Sequence, residues 1–183
     1  MYYISIYFDQ KTTDRLQDYI NHAAKKSGNT FMSDQNVPPH ITISAFASKN
    51  EKEIIKSLEK TFSAWKQGTV QWVSVGAFLP HVIYLAPVLN QYLQELSIAA
   101  YESIRQTGSI NVHPCYYPMH WMPHTTIGKT LDKKQMQAAF QALQESFGIF
   151  TGTAVQIGLA KTNPYQNLAL FEFTNPTAPD SPP

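Results

Sequence analysis

Pro39-His40-Ile41-Thr42-Ile43 in the first half of the chain and Pro123-His124-Thr125-Thr126-Ile127 in the second half follow one pattern, Pro-His-x-Thr-Ile. The chain contains six histidines, so a single His-x-Thr sequence would carry little information. Two copies that share a leading proline and a trailing isoleucine indicate a duplicated unit. The duplication predicts a fold that brings two imidazoles to one place.

The spacing within each motif is typical of a β-strand with two different faces. Residues i and i+2 of a strand point to the same side, so His40 and Thr42 share a face, and so do His124 and Thr126. The isoleucine that ends each motif then points the other way, into a core. The leading proline lacks an N–H group and suits a strand start or edge. Each motif is therefore predicted to present one imidazole and one hydroxyl to the same space.

These side chains suit acid–base chemistry on a phosphate. An unperturbed histidine has a pKa of about 6.5, so it can remove a proton from a nucleophile or protonate a leaving oxygen near neutral pH. Threonine hydroxyls can hydrogen-bond the non-bridging phosphate oxygens. A clamp of neutral hydroxyls fits a diester or cyclic phosphate with one negative charge better than a more highly charged phosphate.

These residues also have simpler, structural explanations. A single histidine beside a threonine is more often structural than catalytic, whereas the matched pair favours function. His120 and His124 have the spacing of a metal pair on a helix, but Pro123 lies between them and is incompatible with a helix, so no metal site and no cofactor are predicted. Cys115 has no thiol-activating neighbours in the sequence and is interpreted as a structural residue.

Composition limits the class of protein and its partners. The 183 residues are 43% apolar and 15% charged, which is typical of a globular domain. A net charge of +1 argues against a strongly basic face for long nucleic acid, so the expected ligand is a nucleotide or a short RNA end. The single cysteine, the absence of a signal-peptide pattern at Met1 and the lack of a long apolar segment predict a cytoplasmic protein without membrane contact.

The apolar periodicity predicts the same order of elements in both halves: strand, helix, motif strand, helix, strand. Helices are predicted over 12–28, 50–68, 89–105 and 132–147, with strands over 1–8, 40–46, 70–78, 82–85, 154–161 and 168–173. A turn is expected at 163–167 and a loop at 29–39. The fold class is therefore α+β, with two pseudo-symmetric lobes, each an antiparallel-rich sheet with helices on its outer face. Residues 1–173 form one bilobal domain in this prediction, and 174–183 form a disordered, proline-rich tail.

The two His-x-Thr-hydrophobic motifs, about half a chain apart, resemble those of the two-histidine (2H) phosphoesterase superfamily. Within it, the chain is most similar to the 2'-5' RNA ligase-like proteins and the RNA 2',3'-cyclic phosphodiesterases. The resemblance is specific at the motifs and extends in layout over residues 1–173. It implies a cleft between two lobes, hydrolysis without a metal ion and, in some members, reversible 2'-5' joining of RNA ends.

The resemblance also implies roles for individual residues. His40 and His124 correspond to the catalytic pair, with His124 favoured as the base and His40 as the acid. Thr42 and Thr126 correspond to the hydroxyls that bind phosphate. Lys129 stands where many members carry a basic residue that can approach the phosphate. Two departures concern the first motif, which is followed by 44–46 without a cation, and the second, which has a threonine at its usually apolar third position.

The expected function is metal-independent hydrolysis of a 2',3'-cyclic phosphate by a monomeric enzyme. One alternative is a nucleotide-binding module with little or no turnover. Another is an enzyme that acts on 2'-5' linked oligonucleotides or on a cyclic ADP-ribose phosphate. Four aromatic residues near the motifs are candidates for stacking on a base, although core packing is favoured for each one alone: Phe46, Tyr116, Tyr117 and Trp121.

Overall fold

A computed structural model describes residues 1–108, 110–162 and 165–175. The strands are β1 (Tyr2–Phe8), β2 (Ile41–Ala47), β3 (Gly68–Phe78), β4 (Val82–Pro87), β5 (Asn111–Val112), β6 (Thr125–Gly128), β7 (Phe150–Lys161) and β8 (Gln166–Glu172). The helices are α1 (Gln10–Ser27), α2 (Phe31–Asp34), α3 (Glu51–Phe62), α4 (Gln91–Arg105) and α5 (Lys133–Ser146). The α+β class and the antiparallel pairing are confirmed. None of the described helices has the length and apolarity to cross a membrane.

Local signals placed most helix ends correctly. Gly28 ends α1 with a φ of 71°, a left-handed conformation that glycine adopts without steric cost. Asp132 caps α5 and forms a capping box with Gln135. The start of α1 was predicted wrongly, because Asp9 rather than a threonine caps it by accepting a hydrogen bond from the Thr12 N–H at 2.7 Å. The loop predicted over 29–39 contains the short helix α2.

Two predicted boundaries are wrong because long-range pairing determines where these elements begin and end. β7 begins at Phe150, four residues before the predicted start, because 150–154 pairs with β3. The helix predicted over 50–68 ends at Phe62 instead. The chain turns at 63–64, and the Gln67 N–H then donates to the Thr174 carbonyl at 2.9 Å. Hydrogen bonding thus continues one residue past the predicted domain end, while the rest of the predicted tail, 176–183, and residues 163–164 of the predicted turn lie outside the described residues.

Six strands of the sheet, β2-β1-β7 and β3-β4-β6, have an order that is pseudo-symmetric about the pairing of β7 with β3. The path runs β5-β2-β1-β7-β3-β4-β6, and β8 also pairs with β7. Only the first segments of the two central strands pair with each other, Gly68–Trp72 with 150–154. Beyond that ladder β3 pairs with β4, whereas β7 pairs with β1 and β8. Strand β3 of the first half thus pairs with β4 of the second half, and β7 of the second half pairs with β1 of the first half. The division into two lobes stays a prediction.

One buried core lies beneath this sheet. The helices pack on it in two pairs, α1 with α5 and α3 with α4. Trp72 marks the junction of the two halves: its fully buried ring stacks on Phe150 at 4.8 Å and contacts Phe8 edge-on at 4.9 Å. Such aromatic pairs contribute about 0.5–1.5 kcal/mol each beyond their buried area. The junction of the two halves is therefore a closely packed aromatic cluster.

Candidate active site

The two motif strands approach each other although four strands separate them in the sheet order. Both β2 and β6 begin one residue after their motif histidine, and the strands contact each other. A sheet brings such distant strands together only when it is strongly twisted and curved. The curvature brings the two motifs into the same region of the molecule.

A β-bulge shapes the first motif strand. Ile4 pairs with Ser44 and Ser5 pairs with Thr42, so Ile43 has no partner of its own in the register. Both Ile43 and the next residue, Ser44, are buried, and no described group hydrogen-bonds the buried Ser44 hydroxyl. The simple alternation predicted for this strand therefore stops after Thr42. Bulges redirect side chains in this way and are over-represented next to active sites.

The second motif strand has a bulge at the equivalent position. Ile83 pairs with Gly128 and Tyr84 pairs with Thr126, which leaves Ile127 without a partner in the register. Ile127 is buried in the core. The motif isoleucine is thus the bulged residue in both halves, and sequence analysis predicted its burial but not the bulge.

The two histidines are held by the same local hydrogen bond. His40 Nδ1 lies 2.8 Å from the carbonyl oxygen of Pro38, and His124 Nδ1 lies 2.9 Å from that of Met122. A carbonyl oxygen only accepts hydrogen bonds, so Nδ1 carries the proton in both rings. Nε2 is therefore the nitrogen that gains or loses a proton in each histidine, as acid–base catalysis requires.

Burial lowers the pKa of both histidines, although the carbonyl of Pro38 or Met122 acts in the opposite direction. The charge of His124 lowers the pKa of His40 further.

The two motif threonines lie two residues beyond their histidines, in the paired part of each strand. Thr42 is buried, and its Oγ1 lies 3.3 Å from the Oγ of Ser5 on β1. Thr126 is half-buried and pairs with Tyr84 on β4. Ser5 was not predicted from the sequence, because a lone serine in a strand carries no signal of its own.

Each histidine also lies beside a tyrosine that sequence analysis missed. The Tyr7 ring is 6.0 Å from the His40 ring, and a Cβ placed on Gly158 would be 2.9 Å from Cε2 of Tyr7. The Tyr7 hydroxyl lies 3.4 Å from that of Tyr165, and burial and this neighbour raise the pKa of Tyr7. A glycine within a strand is the signal for such a close approach.

The second half repeats this arrangement with different residues. The Tyr84 ring lies 5.4 Å from the His124 ring, and a Cβ on Gly76 would be 2.5 Å from Cζ of Tyr84. Phe78 lies 4.8 Å from the same imidazole, with its ring nearly perpendicular at 85°. His124 is therefore bordered by two aromatic rings.

Other predicted residues lie elsewhere. Lys129 is exposed, with its Nζ 6.0 Å from the centre of the Phe31 ring on α2, and its contact with phosphate stays a prediction. Of the four candidate aromatics, Phe46 and Trp121 are buried in the core, as favoured for each alone. Tyr116 is half-buried and packs against the core, and its pKa is raised to about 12 by burial and by nearby Tyr3 and Cys115. Tyr117 is exposed and packs edge-on against Tyr101 at 5.7 Å.

Cys115 is an exposed free cysteine, not a core residue. Within 1–108, 110–162 and 165–175, no group of three or more His, Cys, Asp or Glu side chains is arranged to hold a metal ion.

The structure explains the unusual threonine of the second motif. Thr125 is fully buried, and its Oγ1 accepts a hydrogen bond of 3.1 Å from the Trp72 indole N–H. Replacing Thr125 with valine keeps the shape and removes this acceptor, so the indole N–H is left unpaired. We expect the free energy of unfolding to fall by about 1–3 kcal/mol, measured by urea denaturation. The exposed strand residue Thr151 is the control, and an equal loss in Thr151→Val would contradict the assignment.

Comparison with known proteins agrees with this fold. The model of the 2'-5' RNA ligase superfamily matches residues 12–164, and the chain belongs to this superfamily of ligases and phosphoesterases. The crystal structure of Escherichia coli LigT complexed with 3'-AMP is similar with a TM-score of 0.62 at 13% identity, covering 94% of this chain and 97% of LigT. A crystal structure of a phosphoesterase is similar with a TM-score of 0.58 at 17% identity, covering 94% of this chain and 97% of that phosphoesterase. Among proteins with curated descriptions, none matches the sequence significantly.

Proposed function

We propose that this protein is a metal-independent phosphodiesterase that hydrolyses a 2',3'-cyclic phosphate on a nucleotide or a short RNA end. The observation that carries the proposal is the pair His40 and His124, whose Nδ1 atoms donate to backbone carbonyls in the same way and whose motif strands, β2 and β6, contact each other. One imidazole takes a proton from water, and the other gives a proton to the leaving ribose oxygen. Thr42 and Thr126 donate hydrogen bonds to the non-bridging oxygens.

The structural relatives support a nucleotide as the ligand. The similar E. coli LigT has been crystallised with 3'-AMP, ATP, NADP+ and phosphate. The three nucleotides contain a base, a ribose and phosphate, which a nucleoside 2',3'-cyclic phosphate also contains. The cytoplasmic location, the monomeric state and the contact of Lys129 with phosphate stay predictions.

The test is turnover of the four nucleoside 2',3'-cyclic monophosphates and of 2'-5' linked dinucleotides, with and without a chelator. We expect hydrolysis of the cyclic phosphates at a rate that the chelator leaves unchanged, because imidazoles supply both the acid and the base. Activity that is lost to the chelator and restored by one divalent ion would refute the mechanism. Nucleotide binding without turnover of any substrate would favour a binding module.

The dependence of activity on pH follows from the two histidines. One must be neutral and the other protonated, so kcat/KM should follow a bell whose two limbs are the pKa values of the pair in the free enzyme. Burial lowers both of these pKa values below the ordinary value of about 6.5. The centre of the bell should therefore lie below pH 6.5, and activity should decline between pH 7 and 8. A bell centred above pH 7 would contradict this environment for the pair.

A further inference from the structure

The two sides of the histidine pair differ in chemistry. Next to His124, Phe78 and Met122 form an apolar surface, called here the Phe78–Met122 surface. Phe78 is 40% exposed although it contacts His124, and Met122 is 46% exposed although its carbonyl holds Nδ1 of the same imidazole. The buried Tyr84 lies beneath both, with its ring 4.4 Å from Phe78 and its hydroxyl 4.0 Å from the Met122 sulfur.

The side next to His40 is polar instead. The hydroxyl of Tyr7 lies 3.4 Å from that of Tyr165, which donates to Asn167 Oδ1 at 2.8 Å. Ser5 and Thr42 add a second pair of hydroxyls. A ligand with one flat apolar end and one polar end would match this difference in one orientation across the pair.

We propose that the Phe78–Met122 surface binds the nucleobase of the substrate. This inference rests on the proposed function, because it places the phosphate between the histidines. Phe78 is in direct contact with His124, so a group attached to that phosphate can reach it. A base that stacks on an aromatic side chain gains about 1–3 kcal/mol, while ribose and phosphate gain little from an apolar surface. The base therefore lies on the His124 side.

The chemistry of the Phe78–Met122 surface also predicts how strongly the site discriminates between the four bases. A phenylalanine ring has no hydrogen-bonding group, and a thioether sulfur is only a weak acceptor. Base discrimination depends on hydrogen bonds to base edges, each pair worth about 1–3 kcal/mol. We therefore expect kcat/KM for the four cyclic nucleotides to differ by less than about 5-fold, which corresponds to about 1 kcal/mol.

The test compares adenosine 2',3'-cyclic phosphate with methyl β-D-ribofuranoside 2',3'-cyclic phosphate, which lacks the base. The measured quantity is the ratio of their kcat/KM values, because a disturbance of His124 affects both substrates and cancels in the ratio. Phe78→Ala should lower this ratio by about 5-fold to 150-fold, the loss of one stacking contact. Phe78→Tyr keeps an aromatic face and should keep the ratio.

Phe140→Ala is the matched control, because Phe140 is 50% exposed on α5, and it should leave the ratio unchanged. An unchanged ratio in Phe78→Ala would overturn the proposal while the proposed function stands. If the wild-type protein hydrolyses neither substrate, the proposed function fails. Calorimetry then measures the affinity of the wild-type protein for adenosine 3'-monophosphate and for its base-free riboside phosphate. An equal affinity for both overturns the proposal that the Phe78–Met122 surface binds the base.

Discussion

Replacing either His40 or His124 with alanine should reduce hydrolysis of a 2',3'-cyclic phosphate by about 10²-fold to 10⁴-fold. Each substitution removes one of the two groups that move protons in the same transition state. Steady-state rates with a cyclic nucleotide measure the effect. We expect both variants to fold, because both side chains are only half-buried. Circular dichroism and urea denaturation check this.

The double variant, His40→Ala with His124→Ala, tests whether the two imidazoles act in the same step or contribute independently to the rate. Because both imidazoles act in one step, the double variant should lose much less than the product of the two single losses. His120→Ala is the matched control: this histidine is exposed, lies four residues before His124 and should be dispensable. A His124→Ala protein with a rate near that of wild type would show that the histidine is structural.

Gly76→Ala should produce the second large effect. The added Cβ would lie 2.5 Å from Cζ of Tyr84, so the tyrosine ring must move, and it is bordered by Phe78 and His124. A displacement of about 1 Å at a catalytic group can cost about 10²-fold in rate. We expect a loss of that size in kcat, measured with a cyclic nucleotide, and about 1–3 kcal/mol of stability from overpacking.

Gly148→Ala provides the comparison for this variant. Gly148 is exposed, and no heavy atom lies within 4 Å of the position of its added Cβ. It should keep both activity and stability. Wild-type kcat in Gly76→Ala would show that the position of Tyr84 has no influence on His124.

The candidate site was predictable where its signal is local. Repetition of Pro-His-x-Thr-Ile identified His40, His124, Thr42 and Thr126 without any knowledge of the fold. The burial of Ile127 followed from alternation along the strand. The helices were predictable because apolar side chains recur with the helical period and because caps such as Asp132 have a sequence signature.

The remainder of the site has no local signal. Tyr7 and Phe78 are ordinary aromatic residues of two strands, and nothing in their neighbours indicates that each lies beside a motif histidine. The sequence does not predict a strand at Thr151-Gly152-Thr153, yet this segment is part of the ladder over 150–154 that joins the two halves. These placements depend on pairing between residues far apart in the sequence.

The sequence by itself determined the two motifs, the repeated order of strand, helix, motif strand, helix and strand, and the α+β class, because each depends on composition and periodicity within short segments. Only the tertiary structure decided that β3 and β7 pair at the centre, that both motif strands bulge at their isoleucine, and that Gly76 and Gly158 lie under tyrosine rings. The reason is physical: strand partners and register are fixed by the fit of opposing side chains across the whole sheet. That long-range fit places the Tyr7 ring beside His40, and the Tyr84 and Phe78 rings beside His124.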